Sequence, residues 1–271
     1  MSRVPQAPRV VATDCDGTLL RSDGTVSPYT RDVLDRCSEA GVVVVLVTAR
    51  PPRWMHELGD LGVTGLALCG NGAFTYDVAR REVVGHRLIG ADLTGRLLQD
   101  IKEGVPGAQL ATESLRGFAR EPDFERASGR IDGEWLRGSL GELAAEPAGK
   151  ILVRHDGWET EELSARVAQV VGDRAEVAHS GAVRMAEVTA SGVTKALAIS
   201  TWCAEQRRPV DATEVWAFGD MPNDIPMLEW AGRAHAVANA HTDVLAVCDE
   251  VVASNDEDGV ARALDALLRG G

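Results

Sequence analysis

The stretch Val42-Val43-Val44-Val45-Leu46-Val47 constrains this chain more than any other. Side chains alternate between the two faces of a strand, so an unbroken apolar run needs both faces covered. The run is far short of the ~20 residues that span a bilayer. Other short apolar runs behave alike: Arg9 to Thr13, Val63 to Leu68 and Glu214 to Phe218. Helix signals lie between them. Ser27-Pro28 sets an N-cap serine before a proline at the first helical position. Val33, Leu34 and Cys37 follow at helical spacing, and Gly41 stops the helix. A second helix is expected after Pro51-Pro52. Ser22-Asp23-Gly24 reads as a hairpin turn between Leu19 and Val26. Strand and helix in alternation make an α/β fold, a parallel sheet covered on both faces.

The pattern changes between about Glu82 and Glu187. Runs there are shorter and more charged. Lys150 to Val153 and Val183 to Val188 read as strands, Asp92 to Glu103 and Glu159 to Val171 as helices. This is a separate α+β module. The first pattern then resumes with a helix over Gly192 to Arg207, a short helix over Met227 to Ala231, a strand at Val251 to Ala253, and a closing helix over Val260 to Leu268. The expected organisation is a discontinuous parallel-sheet core, residues 1–81 and 188–271, with residues 82–187 inserted.

The formal net charge is −13, from 28 basic and 41 acidic residues. No run of Lys and Arg offers the basic stripe that nucleic acid or an anionic membrane needs. The five cysteines are odd in number and none is spaced C-x-x-C, so neither a disulfide framework nor a zinc site reads out. The first residues lack a secretory apolar stretch, and the expected location is cytoplasmic. An anionic ligand would therefore need local positive charge.

Two acid clusters stand at strand ends. In Thr13-Asp14-Cys15-Asp16-Gly17-Thr18, Asp14 and Asp16 lie two apart and share a side of the strand. In Phe218-Gly219-Asp220-Met221-Pro222-Asn223-Asp224 a buried strand again runs into acids. Capping and an Asp-rich turn explain one acid comfortably. They do not explain acids in pairs at two strand ends. Ligand crevices of open α/β sheets lie at the carboxyl ends of strands. Asp14, Asp16, Asp220 and Asp224 form an oxygen-only set, which suits Mg2+. An EF-hand is excluded because its first ligand position would be Ala12.

Three further groups share that rim. Thr48 and Arg50 follow the Val42–Val47 strand, Arg50 with a planar fork suited to phosphate or carboxylate and Thr48 also suited to cap a helix. Lys195 opens a helix, and lysine is scarce here, with only Lys102 and Lys150 besides. Asn71 and Gly72 follow the third strand. No P-loop or nucleophile elbow occurs.

These residues together resemble the haloacid dehalogenase (HAD) superfamily of phosphohydrolases, in its Cof-like branch. Asp14-Cys15-Asp16-Gly17-Thr18 is similar to the first motif, Thr48 to the second, Lys195 to the third and Gly219 to Asp224 to the fourth. Asn71-Gly72-Ala73 and Ser254 to Val260 also match. Cys15, Ala49 and the segment His235 to Ala240 depart from the usual pattern without removing a catalytic group. The resemblance implies a Rossmann-like, HAD-like core with an inserted α/β cap. It implies that Asp14 is a nucleophile and Asp16 an acid and base, with Thr48 and Lys195 stabilising phosphoryl oxygens. It implies Mg2+ held by Asp14, the Asp16 carbonyl and Asp220, supported by Asp224. Arg50, Asn71, Gly72 and Asn223 are the expected substrate contacts. The expected activity is hydrolysis of small phosphomonoesters, such as sugar phosphates or phosphorylated cofactors, with a small phosphorylated metabolite as the partner. A phosphomutase on the same core, or a non-catalytic binder of Mg2+ or phosphate, is the alternative.

Overall fold

The structure is a computed structural model and describes residues 7–58, 65–124 and 135–270. The chain forms two compact units, Met1–Val84 with Lys195–Gly271, and Gly85–Thr194.

The first unit holds β1 (Val10–Thr13), β2 (Val43–Val47), β3 (Leu66–Cys69), β4 (Phe74–Asp77), β12 (Val215–Gly219), β13 (Arg233–Val237) and β14 (Glu250–Val252). With β5 (Glu82–His86) they make one sheet ordered β14-β13-β12-β1-β2-β3-β4-β5. The pairings from β14 through β3 are parallel, and β3 pairs antiparallel with β4. β1 lies between β2 and β12, so the two acid clusters leave neighbouring strand ends. Val10, Ala12, Val45, Val47, Val215 and Ala217 bury one face against helices α5 (Lys195–Ala204), α6 (Ile225–Trp230) and α7 (Thr242–Val247). Val11, Val44 and Leu46 alternate to the opposite side, where α1 (Pro28–Glu39) packs on β2 and on α8 (Gly259–Gly270). Coverage on both faces is what an unbroken valine run demands. The Ser27 side chain caps α1 by accepting from the Thr30 N–H at 2.9 Å.

The second unit is a six-stranded sheet ordered β10-β11-β9-β6-β7-β8. Its strands are β6 (Gln109–Ser114), β7 (Gly117–Arg120), β8 (Leu136–Arg137), β9 (Ala148–Arg154), β10 (Ala175–Ala178) and β11 (Met185–Ala190). All pairs are antiparallel except β7 with β8. Helices α2 (Ala91–Gly104) and α4 (Thr160–Val171) cover one face, burying Leu97, Ile101, Val167, Ile151 and Val188. The short helix α3 (Leu140–Leu143) adds Leu143 to that core.

Three expectations change. The expected boundary at residues 187–188 would cut β11, which pairs on both sides within the second unit; the division falls at Thr194–Lys195. The helix expected after Pro51-Pro52 is a 3-10 segment, Pro52–Leu58. Two successive prolines withhold their N–H groups, and Trp54 N–H reaches back three residues to the Pro51 carbonyl. The hairpin at Ser22-Asp23-Gly24 is a turn without flanking strands, closed by Arg21 N–H on the Thr25 carbonyl at 2.8 Å. Of the expected strand from Val63 to Leu68, Val63 and Thr64 lie outside the described residues. Among the described residues no helix is long and apolar enough to cross a membrane.

Candidate active site

Asp14 directly follows β1, and its N–H donates to the Phe218 carbonyl on β12 at 3.0 Å. That bond fixes one acid-bearing strand end against the other. Gly17, three residues on, has φ +79, and a Cβ there would lie 2.5 Å from Asp220 Oδ2. Glycine is therefore required twice, by conformation and by space. The turn it opens lets Thr18 Oγ1 donate to Asp220 Oδ1 at 2.7 Å.

Three acids converge. One carboxylate oxygen each from Asp14, Asp220 and Asp224 lies within 4.8 Å of the others, and all three residues are buried. Lys195, at the start of α5 and 1 % exposed, donates from Nζ to Asp14 Oδ1 and to Asp224 Oδ1, each at 2.6 Å. The other oxygen of Asp224 accepts the N–H groups of Asp220 and Met221 at 3.1 and 3.0 Å. Asp224 thus has both oxygens engaged, which fits a supporting role. Gly219 is required beside it, since a Cβ there would lie 2.5 Å from Asp224 Cβ.

One ammonium faces three carboxylates. Burial, with Asp224 and Asp220 nearby, holds the Asp14 carboxyl well above its ordinary range despite Lys195. Burial and Asp224 push Asp220 up to about 6, against the Thr18 hydroxyl and Lys195. Burial works against the Lys195 ammonium, but Asp14 and Asp224 outweigh it, and its pKa rises. The set is rich in hard oxygen donors and short of positive charge, so a divalent hard cation fits it.

Asp16 goes elsewhere. Its carboxylate accepts from Arg50 Nε at 2.6 Å and Arg50 Nη2 at 2.5 Å, outside the buried trio. The Asp16 side chain is 56 % exposed and that of Arg50 is 3 %. The fork expected to meet substrate therefore holds the acid expected to move protons. Thr48 Oγ1 accepts the Arg50 N–H at 3.1 Å and also meets the Cys15 thiol. The loops after β2 and β3 are stitched together: Gly70 N–H donates to the Arg50 carbonyl at 2.9 Å and Asn71 N–H to the Thr48 carbonyl at 3.0 Å. Gly70, Asn71 and Gly72 have φ of 59, 58 and 104, and only that left-handed path turns the loop back to Thr48. Asn223 Nδ2 donates to Asn71 Oδ1 at 3.2 Å, while its buried Oδ1 has no hydrogen-bond partner among the described residues. Lys195, Asp14, Asp220 and Asp224 thus meet directly, Asp16 pairs with Arg50, and Asn71 pairs with Asn223.

Three participants carried no role in the sequence reading. Thr18 lies inside the first motif. Asn239 and Asn255 hold the turn after Asp16, with Asn239 Nδ2 on the Gly17 carbonyl at 2.8 Å and Asn255 Nδ2 on the Leu20 carbonyl at 2.9 Å. The available signal was the match over Ser254 to Val260.

Comparisons with known proteins agree with this arrangement. Residues 11–264 match the family model described as haloacid dehalogenase-like hydrolase. The pyridoxal phosphate phosphatase YbhA of Escherichia coli is 26% identical over 274 residues, 94% of this chain and 96% of that protein. The 5-amino-6-(5-phospho-D-ribitylamino)uracil phosphatase YitU of Bacillus subtilis is 26% identical over 95% of this chain and 96% of its own length. The crystal structure of SMU.1108c from Streptococcus mutans UA159 superposes with a TM-score of 0.86 at 23% identity, covering 97% of this chain and 100% of that one. Its likeness concerns the fold. A match spanning both strand-end acid clusters and both halves of the parallel sheet leads to one conclusion: the chain belongs to the haloacid dehalogenase-like hydrolases, in their Cof-like branch.

Proposed function

We propose that the protein is a Mg2+-dependent phosphatase that hydrolyses small phosphomonoesters through an aspartyl-phosphate on Asp14. The observation that carries this reading is the buried Asp14–Lys195–Asp224 constellation beside Asp220, at the end of the strand that bears Asp14. Asp14, Asp220 and the Asp16 carbonyl would hold the metal, with Asp224 in support. When bound, Mg2+ supplies positive charge that offsets the carboxylates and the phosphoryl oxygens.

Asp14 attacks phosphorus, and its Oδ–P bond forms as the bond to the ester oxygen breaks. Asp16 gives its proton to that leaving oxygen. A protonated carboxyl accepts poorly, so the Arg50 pair is loosened before this step, and the transfer, which leaves Asp16 a carboxylate, restores it. Asp16 then takes a proton from the water that attacks the phosphoryl group, which frees Asp14 and releases inorganic phosphate. Lys195 and the Thr48 hydroxyl meet developing charge on the phosphoryl oxygens with donors already in place. The parallel-sheet unit, Met1–Val84 with Lys195–Gly271, is the proposed catalytic core in this reading, and Gly85–Thr194 the proposed cap. Asn71, Gly72, Asn223 and Arg50 line the proposed substrate rim.

YbhA and YitU are named for a phosphorylated cofactor and a phosphoribityl compound, which supports small phosphorylated metabolites as the substrate class. All five cysteines are free, suiting a reducing compartment, and the cytoplasm is the proposed site of action. The test is phosphate release from a panel containing pyridoxal phosphate, sugar phosphates and p-nitrophenyl phosphate, with and without Mg2+, beside Asp14→Asn. Release should require Mg2+ and fall more than about 10³-fold in the variant. Undiminished release by Asp14→Asn overturns the aspartyl-phosphate, and no release by the wild type from any ester overturns the phosphatase.

A further inference from the structure

The segment Ser254 to Val260 takes no part in the chemistry above, yet it grips the turn that follows Asp16. Asn255 is buried, and its Nδ2 donates to the Leu20 carbonyl at 2.9 Å. Its backbone N–H donates to Asn239 Oδ1 at 3.0 Å, and Asn239 Nδ2 donates to the Gly17 carbonyl at 2.8 Å. Two linked amide side chains therefore hold the carbonyls at the two ends of Gly17-Thr18-Leu19-Leu20. Outer ties extend the grip. Ser22 N–H and Oγ donate to Asp256 at 2.8 and 2.7 Å, and Arg21 Nε and Nη2 donate to Asp258 at 3.2 and 2.7 Å.

What the turn carries makes the grip consequential. Thr18 at its centre donates to Asp220, and Asp16 immediately precedes it. Inside, the turn is closed by Leu20 N–H on the Cys15 carbonyl at 2.8 Å and by a longer 3.4 Å contact from Thr18 N–H. Gly17 samples positive and negative φ almost equally, so the left-handed form has near competitors. Ties from outside the turn select among them.

We propose that Asn239 and Asn255 are positioning residues: they clamp the Gly17–Leu20 turn and so fix Asp16 and Thr18 for the reaction. The catalytic consequence rests on the phosphatase reading, whereas the clamp itself does not. Asn255→Asp and Asn239→Asp keep the side-chain shape, remove the Nδ2 donor and set an acceptor against a carbonyl. Ser22→Ala, which removes an exposed tie of the same segment, is the comparator.

Amide hydrogen exchange in the metal-free, full-length protein gives the readout that is independent of activity. Leu20 N–H should exchange at least tenfold faster in both Asn variants than in Ser22→Ala. In steady-state kinetics with Mg2+, kcat should fall by about 10- to 100-fold while KM changes less than threefold, as for displaced catalytic groups. Exchange equal to the comparator overturns the clamp, and faster exchange with undiminished kcat overturns its positioning role. If buried Asn255→Asp does not fold, Asn239→Asp at an exposed site carries the same test. A wild type without turnover defeats the phosphatase reading, and the exchange data still decide the clamp.

Discussion

Lys195 Nζ lies 2.6 Å from Asp14 Oδ1, although 181 residues separate them in the chain. The same ammonium reaches Asp224 Oδ1 at 2.6 Å, and all three groups are buried. The pairing keeps Lys195 charged where burial alone would neutralise it. It also leaves the acid cluster short of positive charge, which suits it to take up a divalent cation.

Lys195→Met should therefore act on stability as well as turnover. Breaking a buried pair by removing one partner costs about 3–5 kcal/mol, because the remaining charges stay buried. Urea denaturation of the metal-free variant at pH 7.5 should show a loss of that order. The loss should shrink at pH 5, below the raised Asp220 pKa of about 6, where Asp220 takes up a proton. Turnover should fall about 10²–10³-fold. A variant as stable as the wild type at pH 7.5 would refute the electrostatic account.

Stabilisation by Mg2+ should depend on pH, with a sign set by the acids. Asp220 rises from 3.8 to about 6 in the folded protein, and Asp14 rises as well. A carboxyl with a raised folded pKa binds its proton more tightly when folded. Its stabilisation is complete below the unfolded pKa and is lost as pH climbs through the folded one. The metal-free site thus weakens the fold between about pH 4 and pH 6 and above. Mg2+ displaces those protons, so its melting-temperature shift should be larger at pH 7.5 than at pH 5. At a hundredfold excess over Kd the gain is about 2.7 kcal/mol. Equal shifts at the two pH values would count against Asp14 and Asp220 as ligands.

Gly17→Ala separates backbone strain from damage to the acid site. Gly41 has φ +78, nearly that of Gly17, and a Cβ there would meet nothing within 4 Å. Gly41→Ala should cost about 1–2 kcal/mol through conformation alone and leave the Mg2+ response intact. Gly17→Ala should add displacement of Asp220 and lose more than half of the Mg2+-induced melting shift. Matching Mg2+ responses would show that Asp220 does not need its observed place.

His235 on β13 predicts acid sensitivity of a different origin. Its ring stacks on Phe218 at 4.4 Å and lies 4.9 Å from the Trp216 ring. Burial, with Arg233 adding to it, lowers its pKa from 6.5 to about 4. A depressed folded pKa contributes stability that is full above the unfolded value and is lost as pH falls through the folded one. The window is about pH 6.5 to 4, and the contribution is about 3 kcal/mol. His235→Phe should flatten stability across that window, measured by denaturant midpoints at constant ionic strength. Parallel wild-type and variant curves would remove His235 from the acid response.

Much of this was legible in the chain itself. The valine run of β2 demanded two covered faces, and the structure supplies α5–α7 on one side and α1 with α8 on the other. The acids at Asp14 and Asp220 announced themselves because capping or a turn accounts for one acid at a strand end but not for pairs of acids at two of them. Ser27-Pro28 marked the start of α1 because capping is local chemistry. Such features depend on neighbours within a few residues, and a sequence displays those directly. Tertiary structure decided the rest. That Asp16 faces Arg50 rather than the buried trio follows from how the loops after β1 and β2 meet, 34 residues apart. That Asn255 and Asn239 hold the carbonyls of Gly17 and Leu20 depends on contacts more than 200 residues distant. Which donor finds which acceptor across such separations is set by the register of parallel strands and the path of their loops, and no local pattern encodes it.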